Sequence, residues 1–391
     1  MVKAKEEQQT AHRRSVPMAV FAVGLLFAPG LAYVLGVRGE PIENRSSRPL
    51  PGSSSGWNVF GDFGDFVADR LTLRKEAVEA DAWIDENMFD EDPAFGGGAT
   101  ARVIRGDDGF LFLADAIDTA CSPHAPVAET VANLDRLATI IERSGREMVA
   151  MVAPDKSTVH PQLLPDDLAT FDCFEQYTED LWTSLSAADI PGYHDLRALL
   201  QRESSTTREP LYLRKDSHWD SRGSLAMVQM LVDSLAPGLW NPDDVEYIGL
   251  GAYTGDLTGM QGNPEVDQAP MYALSRESVV AEETEVLDDI EGGPNRRFKN
   301  NGPEGRLISG RSVLFLDSFG LVALPQLVPY FEDLTVIRLV DFPTESERFI
   351  SLIGESDRVI VLTVERGASY RLSFEIGAPE FLDRLESGLS R

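Results

Sequence analysis

Five histidines limit where general-base chemistry can sit in this chain. His12 lies in a basic amino-terminal tail, His124 stands beside a proline in a loop, and His194 falls in a short predicted strand. His160 follows the Pro154-Asp155-Lys156 segment. Only His218, inside KDSHWD (215–220), has a carboxylate two residues before it, Asp216. An Asp-x-His pair entering a helix can hold the tautomer of an imidazole and stabilise its charged form, as a Ser-His-Asp triad requires. The matching nucleophile stands in SVLFLDSF, where Ser318 follows Asp317 at the end of an apolar run. A serine hydroxyl is weak by itself and needs such a base. Taken singly, these signals have plainer readings: a histidine near a helix start often caps it, and a serine after a strand is often a turn residue. The combination of one Asp-x-His, one strand-end Asp-Ser and Lys156 at another strand end carries the triad.

For these groups to meet, the chain must place several strand ends together. Apolar runs alternate with helical periodicity after Pro126: a helix over Val127–Arg143, the run EMVAMVAP, a helix near 174–188 and a short strand near Tyr193. RESSTTRE (202–209) reads as a polar loop, and LYLRKDSHWD as an extended piece entering a helix that Asp220 or Ser221 would cap. Residues 277–310 read as a long loop. Three apolar runs follow, SVLFLDSF, TVIRLV and RVIVLTVE, and the helix at 379–389 has an apolar stripe for packing. Earlier, RVIRGDDGFLFLAD predicts two short strands around Gly106–Gly109, and 57–88 has helical spacing. Wholly apolar strands alternating with helices predict an α/β fold, a parallel sheet covered on both faces. In such a sheet ligands bind beyond the carboxyl ends of the strands, where Asp155-Lys156, Asp317-Ser318 and Glu365-Arg366 fall.

Composition narrows the function classes. A hydrophobic content of 43% and a charged content of 25% describe an ordinary globular chain of 391 residues. The net charge of −29 repels phosphate backbones, so nucleic acid is excluded as a general partner. By the same repulsion a strongly anionic polymer is an awkward substrate. Cys121 and Cys173 form no CxxC pair and no Cys/His cluster of zinc spacing, and no metal or cofactor is required. The two cysteines are either one disulfide or two buried thiols. Gly96–Gly98 lack the Lys-Ser/Thr of a phosphate loop, and EETEVLDDIEGG lacks EF-hand spacing.

The amino terminus predicts a membrane anchor. Residues 1–14, with Lys3, Lys5, Arg13 and Arg14, form a cytoplasmic tail, and 15–37 carry no charged side chain. As a helix that segment would reach about 34 Å, enough to cross the hydrocarbon core. A retained signal anchor explains the length of the apolar run better than a cleaved signal peptide. Residues 38–56, rich in Pro, Ser and Gly, are a flexible linker, and 57–391 form an extracytoplasmic domain of a single-pass type II protein.

In order along the chain, GDDGFLFL (106–113), APDKSTVHPQLLP (153–165), KDSHWDSRG (215–223) and LDSFG (316–320) resemble the alginate O-acetyltransferase AlgJ/AlgX family, over roughly 57–370. In most SGNH hydrolases the serine block precedes the Asp-His block, whereas in this family the Asp-x-His comes first, as here. The resemblance implies an SGNH-hydrolase-like, flavodoxin-like sheet. It implies Ser318 as nucleophile, His218 as general base, Asp216 as its orienting partner and Asp317 as the structural aspartate of the nucleophile block. Lys156 matches the lysine of the PDK-type motif and would steady the site or substrate, and Trp219 belongs to the cleft. The family block reads Gly-Asp-Ser, while this chain has Leu316 in the glycine place. The Ser318 backbone amide is the first oxyanion donor expected, and Gln261 or Asn263 in GMQGNPE the second.

The function implied is transfer of an acetyl group through an acetyl-serine to hydroxyls of a cell-surface or exported polysaccharide, with a membrane-bound O-acyltransferase as donor partner. Two alternatives stay open: a carbohydrate acetylesterase, which is the same chemistry with water as acceptor, and a catalytically silent glycan-binding or scaffold subunit of an acetylation complex.

Overall fold

A computed structural model describes residues 103–390, apart from 167, 169, 262, 288–294 and 340–341, together with Leu35. The chain divides into two units, Met1–Gly96 with Gly259–Asn263, and Gly97–Thr258 with Pro264–Arg391. The expected helix at 57–88 and the expected span at 15–37 lie outside the described residues, Leu35 excepted. Among the described residues no helix is long and apolar enough to cross a membrane.

The strands of the larger unit are β1 (Val103–Arg105), β2 (Leu111–Leu113), β3 (Glu147–Ala153), β4 (Tyr193–His194), β5 (Val245–Thr254), β6 (Val266–Leu274), β7 (Val280–Val286), β8 (Arg296–Asn301), β9 (Ile308–Leu316), β10 (Phe331–Arg338) and β11 (Arg358–Val364). The helices are α1 (Ala114–Cys121), α2 (Val127–Arg143), α3 (Lys156–Val159), α4 (Phe171–Ala187), α5 (Leu196–Thr207), α6 (Ser221–Leu235), α7 (Asp256–Met260), α8 (Ser318–Leu327), α9 (Phe342–Glu355), α10 (Glu365–Phe374) and α11 (Pro379–Leu389).

One sheet dominates, in the order β4-β3-β11-β9-β10-β8-β7. Its first five strands run parallel, and β8 and β7 add antiparallel to β10 and to each other. Successive side chains of a strand point to opposite faces, and the core splits accordingly. Met148, Ala150 and Val152 of β3, Val313 and Phe315 of β9, and Val359 and Val361 of β11 pack with α2, α4, α9, α10 and α11. Val149, Met151, Ala153, Leu314, Leu316, Ile360 and Leu362 pack instead with α5, α6 and α8. Helices on both faces explain why these strands are apolar throughout. Cys121 on α1 and Cys173 on α4 are joined by a disulfide across a sequence separation of 52.

The structure corrects three expectations. The sheet is mixed rather than purely parallel. Residues 277–310 are not one long loop: β7 and β8 form its antiparallel edge, where Arg297 pairs with Asp333 of β10 at 2.8 and 2.6 Å. Edge strands tolerate and even need charge, so their low hydrophobicity concealed them. The stretch 202–209 is not a loop either, because its first six residues complete α5. Asp195 caps that helix by accepting from the Ala198 N–H (2.9 Å), and Leu196 and Leu200 anchor it. Thr206 and Thr207 donate back to the carbonyls of Arg202 and Glu203 (2.9 and 3.1 Å), which gives their hydroxyls partners within the helix.

Candidate active site

The three strand ends singled out in the sequence are neighbours, because β11 lies between β3 and β9. Hydrogen bonds tie them together. The Asp155 N–H donates to Glu365 Oε2 (2.9 Å), and Asp155 accepts from the Arg366 N–H (2.9 Å) and from the Arg366 guanidinium. Glu365 also accepts from Thr158 Oγ1 (2.6 Å) and Trp182 Nε1 (3.0 Å). Burial and the neighbouring Asp155 push the Glu365 carboxyl up to about 7.

Asp317 ends β9 and caps α8. Its Oδ1 accepts from the Phe319 N–H (3.0 Å) and its Oδ2 from the Val364 N–H of β11 (2.6 Å). Ser318, half-buried, is the first residue of α8. The first N–H groups of a helix lack intrahelical acceptors and favour negative charge. The Ser318 N–H stands at that first position. Leu316, which stands where the family has glycine, is fully buried among the residues facing α6 and α8. Room for it comes from Gly320, where a Cβ would lie 2.7 Å from the Leu316 Cβ.

His218 comes from a different part of the chain. Its loop is pinned as a small antiparallel bridge, Tyr212 to Trp219, and the Asp220 carboxylate caps α6 by accepting from the N–H groups of Arg222 and Gly223 (2.8 and 3.1 Å). The Tyr212 hydroxyl donates to the Pro154 carbonyl (2.6 Å), which ties this loop to the end of β3. Asp216 Oδ1 accepts from the His218 backbone N–H (2.9 Å) and lies 2.8 Å from Nδ1. Burial raises the Asp216 carboxyl, but its bonds from His218 and from the Asp256 N–H outweigh this and hold it below its ordinary value. The imidazole lies against Phe319, the residue after Ser318, with ring centroids 4.9 Å apart. Its Nε2 is buried and has no hydrogen-bond partner among the described residues. A ring held through Nδ1, with Nε2 unpartnered and Phe319 of α8 against the ring, has the arrangement of a general base. His160 has not: its Nε2 accepts from the Leu211 N–H (3.2 Å), and burial and Lys156 lower its pKa to about 4.

Lys156 is buried rather than open to a substrate. Its Nζ donates to the carbonyls of Leu111 (2.7 Å) and Arg214 (3.4 Å) and lies over the rings of Phe110 and Phe112. It joins the β1–β2 hairpin to the histidine loop. Burial lowers its pKa to about 7, against the pull of Asp216 and Asp256. Trp219 is fully buried, edge-on to Phe319 at 5.0 Å. Gln261 is half-buried in the turn after α7 and Asn263 is exposed, and both belong to the Gly259–Asn263 segment of the smaller unit.

Asp256, in none of the motifs, completes the cluster. It accepts from the Ser217 N–H (2.7 Å) and the Ser217 hydroxyl (2.6 Å), and its own N–H donates to Asp216 Oδ2 (3.1 Å). It reaches the site because Gly255 lies flat on the histidine loop: a Cβ there would sit 1.9 Å from the Lys215 carbonyl oxygen. No motif in the sequence marks Asp256. Ligand atoms of Asp216, His218 and Asp256 lie within 4.8 Å of one another. Their oxygens already accept N–H and O–H donors, so the cluster is one of hydrogen bonds, with Nδ1 directed at Asp216.

The family model for the SGNH hydrolase-like domain of the acetyltransferase AlgX matches residues 103–291, which takes in Asp216 and His218 and ends before Ser318. A probable alginate O-acetylase AlgJ from Pseudomonas syringae pv. tomato is 22% identical over 198 residues, 49% of this chain and 47% of that protein. The chain thus spans about half the length of the curated relative it matches. Among solved structures, the O-acetyltransferase domain of Pseudomonas putida AlgJ is 16% identical with a TM-score of 0.45, covering 74% of this chain and 100% of that one. Bacillus cereus PatB1 is 14% identical with a TM-score of 0.48, covering 71% and 99%. Over residues 103–291 the chain is thus similar to the SGNH hydrolase-like domain of the AlgJ/AlgX acetyltransferases, the resemblance its motifs indicate, and the α/β fold agrees with that likeness.

Proposed function

We propose that the chain is an O-acetyltransferase that carries an acetyl group on Ser318 to hydroxyls of a cell-surface or exported polysaccharide. The observation that carries this reading is His218: Nδ1 held by Asp216, Nε2 without a hydrogen-bond partner among the described residues, and the ring against the residue that follows Ser318. Nε2 takes the proton of Ser318 as Oγ attacks the acetyl carbonyl, and the Oγ–C bond forms. The proton passes to the departing donor oxygen as its bond to carbon breaks, leaving acetyl-serine. A sugar hydroxyl then gives its proton to Nε2 and takes the acetyl, which restores Ser318. The Ser318 N–H supports the oxyanion in both steps. The acetyl donor is a membrane-bound O-acyltransferase, and an anchor at 15–37 would keep the domain on the extracytoplasmic side of the cell membrane, where that hand-over occurs.

The test is acetyl release from p-nitrophenyl acetate by the full chain in detergent, with and without a glycan acceptor, beside Ser318→Ala and His218→Ala. Release lost in both variants, with acetyl on the acceptor, supports the transferase. Release without acceptor product moves the reading to an acetylesterase. Equal rates in all three proteins would leave a glycan-binding scaffold.

A further inference from the structure

We infer that Asp256 is a positioning residue that fixes the tautomer of His218 through Ser217; the inference rests on the acetyl-serine reading above. The His218 Nδ1 faces three oxygens: Asp216 Oδ1 at 2.8 Å, Ser217 Oγ at 3.4 Å and Asp256 Oδ2 at 3.6 Å. For Nε2 to act as base, the ring hydrogen must sit on Nδ1 and donate to Asp216. Two of the three neighbours are carboxylates and can only accept, but a hydroxyl can do either. Were the Ser217 hydroxyl to donate to Nδ1, the ring hydrogen would move to Nε2 and the base would be lost. Asp256 prevents this, because the Ser217 hydroxyl hydrogen is taken by its Oδ2 at 2.6 Å. Its Oδ1 holds the Ser217 backbone (2.7 Å), and its N–H fixes the second oxygen of Asp216 (3.1 Å). Asp256 therefore closes both alternatives open to the loop: rotation of the Asp216 carboxylate and inversion of the Ser217 hydroxyl.

The substitution Asp256→Asn separates this role from simple support of the loop. An asparagine oxygen still accepts from the Ser217 N–H, and its amide still donates to the Ser217 oxygen, so the loop keeps its bonds. The Ser217 hydroxyl hydrogen is then released to turn toward Nδ1. With p-nitrophenyl acetate and the full chain, Asp256→Asn should lower kcat about tenfold, part of the 10²–10⁴ that general-base catalysis contributes, with KM within about twofold. Ser217→Ala should lose less than Asp256→Asn, and the double variant should regain most of the kcat that Asp256→Asn lost. A loop prop predicts the reverse order, with the double variant at least as slow as either single one, and that result overturns the inference. So does an Asp256→Asn enzyme with wild-type kcat. Ser318→Ala is run alongside. If it is inactive, failure of the Asp256 pattern sinks this inference alone; if it retains full activity, the triad falls and the inference falls with it.

Discussion

Replacing Asp317 should destabilise the sheet domain without altering the Ser318 side chain. The carboxylate has two backbone partners, the Phe319 N–H at 3.0 Å and the Val364 N–H at 2.6 Å, and is buried. Asp317→Ala removes a helix cap, worth about 1 kcal/mol. It also leaves the Val364 N–H buried with no acceptor, which costs about 1–3 kcal/mol more. The sum is a loss of about 2–4 kcal/mol. Asp317→Asn makes the reasoning sharper. An amide offers one accepting oxygen, so one N–H is satisfied while the other meets the NH2 group, and about 1–3 kcal/mol is lost. Urea unfolding followed by near-ultraviolet circular dichroism measures both, with the slope against denaturant checked for constancy. An alanine variant within 1 kcal/mol of wild type, or an asparagine variant equal to it, would refute the view that Asp317 joins β9 to β11.

Reducing the Cys121–Cys173 bond, or replacing both residues by alanine, should cost about 4 kcal/mol in the chain-entropy account for a separation of 52, read as a lower urea midpoint with dithiothreitol than without. Lys156 gives a pH dependence of definite sign. Its pKa is about 7 in the fold against 10.5 in the unfolded chain, so between those values the unfolded state binds the extra proton and stability rises with pH. Unfolding at pH 7.5 and 9.5 should show that rise in wild type and a flatter profile in Lys156→Met; equal slopes would count against a buried, largely neutral amine.

The parts of the fold that were legible in the sequence are those whose signal is local. EMVAMVA, SVLFL and RVIVLTV announce buried strands by their unbroken apolar character, and α2 begins and ends at the residues its periodicity marked, Val127 and Arg143. The cap of α6 was readable to within one residue, as Asp220 or Ser221, and the structure has Asp220. What failed depended on partners distant in sequence. Arg296–Asn301 is polar, and only pairing with Phe331–Arg338 makes it a strand. The 196–207 helix is held at its start by Leu196 and Leu200, which lie outside the hydroxyl-rich stretch taken as a loop.

The site divides along the same line. Asp216 and His218 stand two apart in one loop, so their pairing was local and could be read directly. The meeting of Asp155, Asp317 and Arg366 followed from strand order, which the rule of strand carboxyl ends anticipates once the sheet is accepted. Lys156 was expected to steady the site or the substrate, and the fold shows which bonds its amine makes, those to the carbonyls of Leu111 and Arg214. Asp256 was out of reach, because its place depends on the β5–β6 hairpin returning so that Gly255 lies against Lys215. The residues that do chemistry carry their types and spacing in the sequence, whereas those that hold them need only be near, and nearness across 40 residues leaves no pattern to read.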